Sequence, residues 1–163
     1  MAAGNNAPND KTIVASNRRA RHDFDIIDTY EAGLVLKGSE VKSLRESKVQ
    51  IAEAYGRIRN GEVWLLSLHI GPYSHAAAFT GHDPDRPKKL LMHRNEIERL
   101  GARLDQEPLT LVPLRLYFTG GRAKVEIALA RRRHKGDKRR AIAERDATRE
   151  AQRAMSDARR DHG

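Results

Sequence analysis

Apolar and polar side chains take turns from Phe24 onward, with Phe24, Ile26 and the aliphatic side of Tyr30 set against Asp25, Ile27 and Thr29. A period of two predicts a strand with one polar face. Gly33 is expected to break it, and Leu34-Val35-Leu36 to resume as a second short strand. From Gly38 to Arg45 the period changes. Val41, Leu44 and Arg45 share one helical face, Ser39 suits an N-cap, and Glu40 sits where the helix dipole favours an acid, so a brief helix is expected. Asn60-Gly61 lies between apolar runs, a strong hairpin signal, and Trp64, Leu66, Leu68 and Ile70 are expected to alternate inward on the second arm. Residues 72–89 carry three prolines and read as a long loop. Ile97, Leu100 and Leu104 then recur at helical spacing behind Asn95 as the cap. Last come Leu114, Leu116 and Phe118, a Thr-Gly-Gly-Arg turn, and Val125, Ile127 and Leu129, which together make a hairpin. Five to seven short, turn-punctuated strands interrupted by helices define a mainly β chain. The expected architecture is a small closed or nearly closed antiparallel barrel with two or three short helices.

Composition adds limits to this picture. A chain of 163 residues, 39% hydrophobic, fits one domain, and with eight aromatic residues its core must be built of Leu, Ile and Val. There is no cysteine, so disulfides, thiolate metal sites and cysteine nucleophiles are excluded together and a reducing compartment is the natural setting. Residues 1–11 read as a disordered N-terminus without a leader pattern, and no run is long enough to cross a bilayer, so the expected location is cytoplasmic, with no membrane contact. The net charge of +9 is uneven. Residues 131–163 hold 12 basic against 6 acidic side chains, a surplus of 6, while the first 130 residues supply a surplus of only 3. The chain therefore divides into a barrel domain over 12–130 and a basic C-terminal tail over 131–163. A field of this sign attracts polyanions, nucleic acid or anionic lipid, and the tail's few bulky apolar residues favour nucleic acid over a headgroup layer.

Catalytic chemistry finds little footing. The glycines of Gly33 to Ser39 resemble a phosphate loop, but Glu40 stands where an ammonium is needed and no Gly-Lys-Ser follows. His69, His75 and His82 have no carboxylate at metal-ligand spacing, no Gly-x-Ser-x-Gly elbow occurs, and Asp25, Asp28 and Glu31 are strand residues. No catalytic residue, metal or cofactor is expected, and the chain is read as a binding protein rather than an enzyme. Arg18, Arg19, Arg21 and His22 cluster just before Phe24, and Arg86, Lys88 and Lys89 form a second cluster at a loop lip. Guanidinium groups fork onto phosphate oxygens and stack on bases, so two such clusters on a small barrel point to RNA.

The segments Asn17–Phe24, Tyr30–Glu46, Asp83–Leu91 and His134–Arg139, in this order and spacing, resemble the SmpB family of SsrA-binding proteins over residues 12–155. The resemblance implies an oligonucleotide-binding-type barrel that grips the transfer-RNA-like domain of tmRNA, the SsrA RNA, and delivers it to stalled ribosomes in trans-translation. It also implies the small ribosomal subunit with its RNA and elongation factor Tu as partners, a monomeric protein, and no chemistry done by the protein itself. Carried over to this sequence, the RNA contacts fall on Asn17, Glu31 and Leu91, with Arg19, Arg21, His22 and Lys42 in the surrounding motifs. Asn17 can donate and accept at a base edge, and Leu91 offers an apolar surface to a base face. A carboxylate repels phosphate, so Glu31 is either an acceptor for a base amino or imino group or the partner that holds an arginine.

The family's Asp-Lys-Arg motif falls on Asp137, Lys138 and Arg139. With Arg131, Arg132, Arg133 and Lys135 these residues form the ribosome-binding part of the tail, which the family places in the decoding region. Gly136 stands where an aromatic residue or histidine commonly precedes that Asp, and Ala147 where some members have tryptophan, so stacking there comes from elsewhere or is absent. The tail is expected to be disordered when free and helical on the ribosome: its alanines favour helix, but between Lys138 and Gly163 only Ile142 and Met155 are sizeable aliphatic side chains. A ribosomal or ribosome-assembly RNA-binding barrel is the alternative.

Overall fold

The computed structural model describes residues 11–73, 82–133 and 135–161, the last stretch with side chains only at 145–158. His75 and the disordered stretch expected at the N-terminus lie outside the described residues, apart from Lys11. The strands are β1 (Lys11–Ser16), β2 (Phe24–Leu34), β3 (Val49–Gln50), β4 (Tyr55–Arg59), β5 (Glu62–Leu66), β6 (His69–Ile70), β7 (Lys88–Leu91), β8 (Thr110–Thr119) and β9 (Arg122–Arg132). Three short helices join them: α1 (Ala20–Asp23), α2 (Gly38–Arg45) and α3 (Arg94–Gln106). A fourth, α4, runs from Lys135 to Asp161. The barrel and the region from Arg133 onward are two separate compact units.

Strands β8, β4, β5, β7, β2 and β9 form a ring, because β9 pairs back onto β8, and every pairing is antiparallel. β1 lies along β8 from Arg115 to Thr119, and β3 and β6 make a separate two-stranded ribbon. The ring is narrowest in its pairing where β4 meets β8, at Gly56 opposite Leu111. A Cβ on Gly56 would lie 2.7 Å from that of Leu111, so the strands can close there only around a hydrogen. Val63, Leu65, Leu90, Leu111, Leu116, Val125, Ile127 and Leu129 fill the interior, with Leu44 and Leu100 sealing it from α2 and α3. The core is aliphatic, as the composition predicts.

Several local expectations need correction. β2 continues through Gly33 to Leu34, since Gly33 pairs with both Leu91 and Lys124 and sits between two strands. On β5 the buried residues are Val63 and Leu65, not Trp64 and Leu66. Ser67 has a positive φ of 59°, which kinks the chain and resets the alternation so that Leu68 and Ile70 face inward as expected. Leu114 is buried in a second cluster with Ala20, Val112, Ala128 and Ala130, away from Leu116, because a bulge between Pro113 and Arg115 shifts the phase by one residue. The helices start earlier than their expected caps: Lys37 and His93 hold the N-cap positions of α2 and α3, and Glu40 and Glu96 each accept the N-cap N–H.

The loop cluster Arg86-Lys88-Lys89 is structural. Lys88 begins β7 inside the expected loop and is fully buried, its Nζ donating to the carbonyls of Leu68 at 2.7 Å and Pro84 at 3.1 Å. Arg86 is forked onto the buried Glu40 carboxylate, and Lys89 pairs with Glu62 at 3.1 Å. Burial would raise the Glu40 pKa, but the Arg86 hydrogen bonds and the Lys37 N–H outweigh it and hold the group below the usual carboxylate range. Burial pulls Lys88 down, and the nearby Glu40 charge opposes it.

Candidate nucleic-acid interface

The outward positions of β1, β8, β9 and β2 bring one set of polar groups together. Glu31 lies opposite Glu126, which lies opposite Arg115, and Tyr117 is the next outward residue along β8. Arg115 grips Glu126 through Nε at 3.3 Å and Nη2 at 3.1 Å, and this partner holds the guanidinium more firmly protonated. The Tyr117 hydroxyl donates to Oε2 of Glu31, and Lys11 Nζ stands 3.9 Å from the same oxygen and 4.7 Å from the Tyr117 ring centre. Burial, followed by the bond to Glu31, raises the Tyr117 pKa well above its ordinary value, so this hydroxyl stays protonated and always donates.

Of the two roles expected for Glu31, the partner of an arginine is replaced by a different pairing. Tyrosine and lysine hold one carboxylate oxygen, and Oε1 has no partner among the described residues. Leu91 sits two positions further along this face, opposite Gly33. It is 57% exposed, far beyond what a core leucine shows, at the mouth of a recess of about 420 Å³ walled by Leu34, Leu36 and Val41 and rimmed by Arg122 and Lys124.

Asn17 is buried. Its amide Nδ2 donates to the Pro113 carbonyl at 3.1 Å and its backbone N–H to the Leu114 carbonyl at 2.8 Å, so the side chain supports the β8 bulge. A recess of about 300 Å³ joins Asn17 to Arg18, Arg21, Arg115 and Glu126. Arg19 lines a second, larger recess of about 570 Å³ with Asp23, Phe24 and Arg132, and Asn17 borders both recesses, so the arginine cluster is divided between two recesses that meet at Asn17. His22 is exposed with Nδ1 3.1 Å from Asp23, and Lys42 lies 5.4 Å from the Tyr73 ring centre. The structure thus brings Arg21, Glu31 and Leu91 to one face with Asn17 at its edge, and Arg19 joins Asn17 only through the second recess.

Among the tail residues, Arg131 pairs with Glu107 at 3.1 Å and Arg132 lies 5.6 Å from the Phe24 ring centre, both still on β9. Arg133 is exposed; Lys135, Asp137, Lys138 and Arg139 fall in the first turns of α4, and their side chains lie outside the described residues. The residues missed by pattern alone are Tyr117, Lys11 and Arg115. Alternation marks Tyr117 as outward-facing, but only the packing of β1 shows that it is 3% exposed and aimed at Glu31. His82 is buried between Ser39 and Ile70: a carbonyl only accepts, so Nε2–H donates to Ile70 at 2.9 Å and Nδ1 meets the Ser39 hydroxyl at 2.9 Å. Among the described residues no group of three metal-ligating side chains forms, and no helix is long and apolar enough to cross a membrane.

A closed antiparallel barrel with arginine-lined recesses, an oriented carboxylate acceptor and an exposed apolar residue on one outer face defines the class: an oligonucleotide-binding-type barrel. The chain belongs to the SmpB family, whose model, "SmpB protein", matches residues 14–157. It is 57% identical over 145 residues to the SsrA-binding protein of Thermobifida fusca (89% of each chain). It is 55% identical over 159 residues to that of Anaeromyxobacter dehalogenans (98% of this chain, 97% of the relative). A chain from a solved structure described as "tmRNA-SmpB: a journey to the center of the bacterial ribosome" is 46% identical, with a TM-score of 0.63, covering 78% of this chain and 93% of its own.

Proposed function

We propose that this chain is an RNA-binding protein of trans-translation that holds the transfer-RNA-like domain of SsrA RNA on the face running from Asn17 and Arg21 to Glu31 and Leu91. Elongation factor Tu accompanies the complex, the protein acts as a cytoplasmic monomer, and the tail from Arg133 enters the decoding region of a stalled ribosome. The observation that carries this reading is the fixed carboxylate: Tyr117 and Lys11 occupy one oxygen of Glu31 and leave the other for a base amino or imino group. A pre-oriented acceptor loses little freedom on binding, and a base edge rewards it where a phosphate would not. Arg18 and Arg21 supply the phosphate contacts beside it, and Leu91 supplies the apolar contact. The protein contributes binding and placement; no step of bond making is asked of its residues.

Mobility shifts of the full chain on a transfer-RNA-like RNA at fixed salt test the assignment. Glu31→Ala is expected to weaken binding about tenfold or more, the cost of a charge-assisted hydrogen bond, while Arg94→Ala, a 91% exposed side chain on α3, leaves it unchanged. Equal affinities for the two variants would overturn it. RNA recovered with the protein from cells checks the partner: one abundant structured RNA with a transfer-RNA-like end is expected, and ribosomal RNA alone would favour the ribosome-assembly alternative.

A further inference from the structure

Around the barrel from Leu91, the outer face of β4, β5 and β7 presents a different chemistry. Trp64 lies opposite Arg57 on one side and Lys89 on the other, and Arg59 occupies the next outward position of β4. Both arginines are exposed. They border a recess of about 310 Å³ with Trp64, Leu66 and Pro87 in its wall, at the small end of the range in which ligand clefts fall. The carboxylate in that wall, Glu62, is held by Lys89 at 3.1 Å. Arg86, Arg103, Arg115 and Arg131 are each paired with an acid. Among the described residues, Arg57 and Arg59 have no such partner. Sheet surfaces ordinarily pair their charges across strands. Here two guanidinium groups are left available beside a partly exposed indole.

We propose that this recess is a second nucleic-acid contact, which takes an unpaired nucleotide of single-stranded RNA with its base against Trp64 and its phosphates on Arg57 and Arg59. An indole face accepts any base, and a guanidinium forks onto phosphate oxygens, so the site recognises single strands without reading sequence. A duplex hides its base faces and is a poor ligand. The site uses neither Glu31 nor Leu91, and it stands or falls independently of their assignment.

Trp64 is the sole tryptophan of the chain, so its fluorescence reports on this recess alone. Titration of the full chain with single-stranded decauridylate is expected to quench that emission saturably, a ten-nucleotide strand lying within the usual site size of such barrels. The double variant Arg57→Gln, Arg59→Gln is expected to shift the midpoint about tenfold or more to higher RNA, while Arg94→Ala, on the exposed face of α3, leaves it in place. Binding of a labelled decauridylate with Trp64 emission unchanged would overturn the proposal by locating the strand elsewhere. An unshifted midpoint in the double variant would overturn it too, as would quenching by an oligoglutamate peptide but not by RNA, which would mark a site for an acidic protein.

Discussion

A buried carboxylate and a buried ammonium 48 residues apart in sequence show how single side chains are fixed in this molecule. Glu40 is satisfied by Arg86 and the Lys37 N–H, and Lys88 by two carbonyls, so each charge is desolvated but partnered. Glu40→Ala removes the carboxylate and leaves Arg86 with only the Pro87 and Val35 carbonyls; a loss of about 3 kcal/mol is expected, read as a fall of roughly 10 °C in the melting temperature. The Glu40 pKa is depressed in the folded chain, so its contribution is present above the ordinary carboxylate pKa and is lost as pH falls through the depressed folded value. Denaturant titrations across that acid range should therefore slope more steeply for the wild type than for Glu40→Gln. At the candidate interface, Tyr117→Phe keeps the ring and deletes the donor to Glu31. RNA binding is expected to weaken about fivefold, with stability changed by no more than about 1 kcal/mol. A variant that binds like the wild type would show that Glu31 needs no such support.

The strands of the barrel are held by alternation, and where alternation is interrupted the sequence is hardest to read. Leu116, Phe118, Val125, Ile127 and Leu129 point as their spacing predicts, since β8 and β9 run regularly from Arg115 to Leu129. Leu114 and Trp64 do not: a bulge and a positive-φ serine each move the phase by one residue, and neither carries a composition signal strong enough to find beforehand. Glu31 and Leu91 stand out as candidate site residues only through resemblance. Their proximity depends on β2 pairing with β7 across 57 residues of chain, which no local pattern encodes. The glycine at the β4–β8 contact follows the same logic of close approach. Gly56→Ala is expected to cost about 2 kcal/mol, the usual range for overpacking, with the loss visible in chemical denaturation.

Over the whole molecule, charge and length act together. Binding of the RNA is expected to fall linearly on a log–log plot against salt, by about 0.7 to 0.9 per phosphate contact; a flat response would mean the arginine recesses are not the interface. All described side chains of α4, Arg145 to Ala158, are exposed, so that stretch of the helix gains little from burial. A chain ended after Arg133, which keeps the Arg131–Glu107 pair and the full length of β9, is expected to retain RNA affinity and to lose tagging of stalled ribosomes. Nuclear magnetic resonance of the free protein is expected to show narrow, poorly dispersed signals from residue 134 onward. The barrel itself has an uneven circumference. Nine residue pairs join β2 to β9, but β4 is in register with β8 at one pair, Gly56 with Leu111, which makes that contact the clasp of a bracelet. Such a closure opens without the rest unfolding, so backbone protons near Gly56 should exchange with deuterium well ahead of those at Ile127 to Leu129, and the slowest-exchanging part of the protein should be the β2–β9–β8 arc that carries Glu31 and Tyr117.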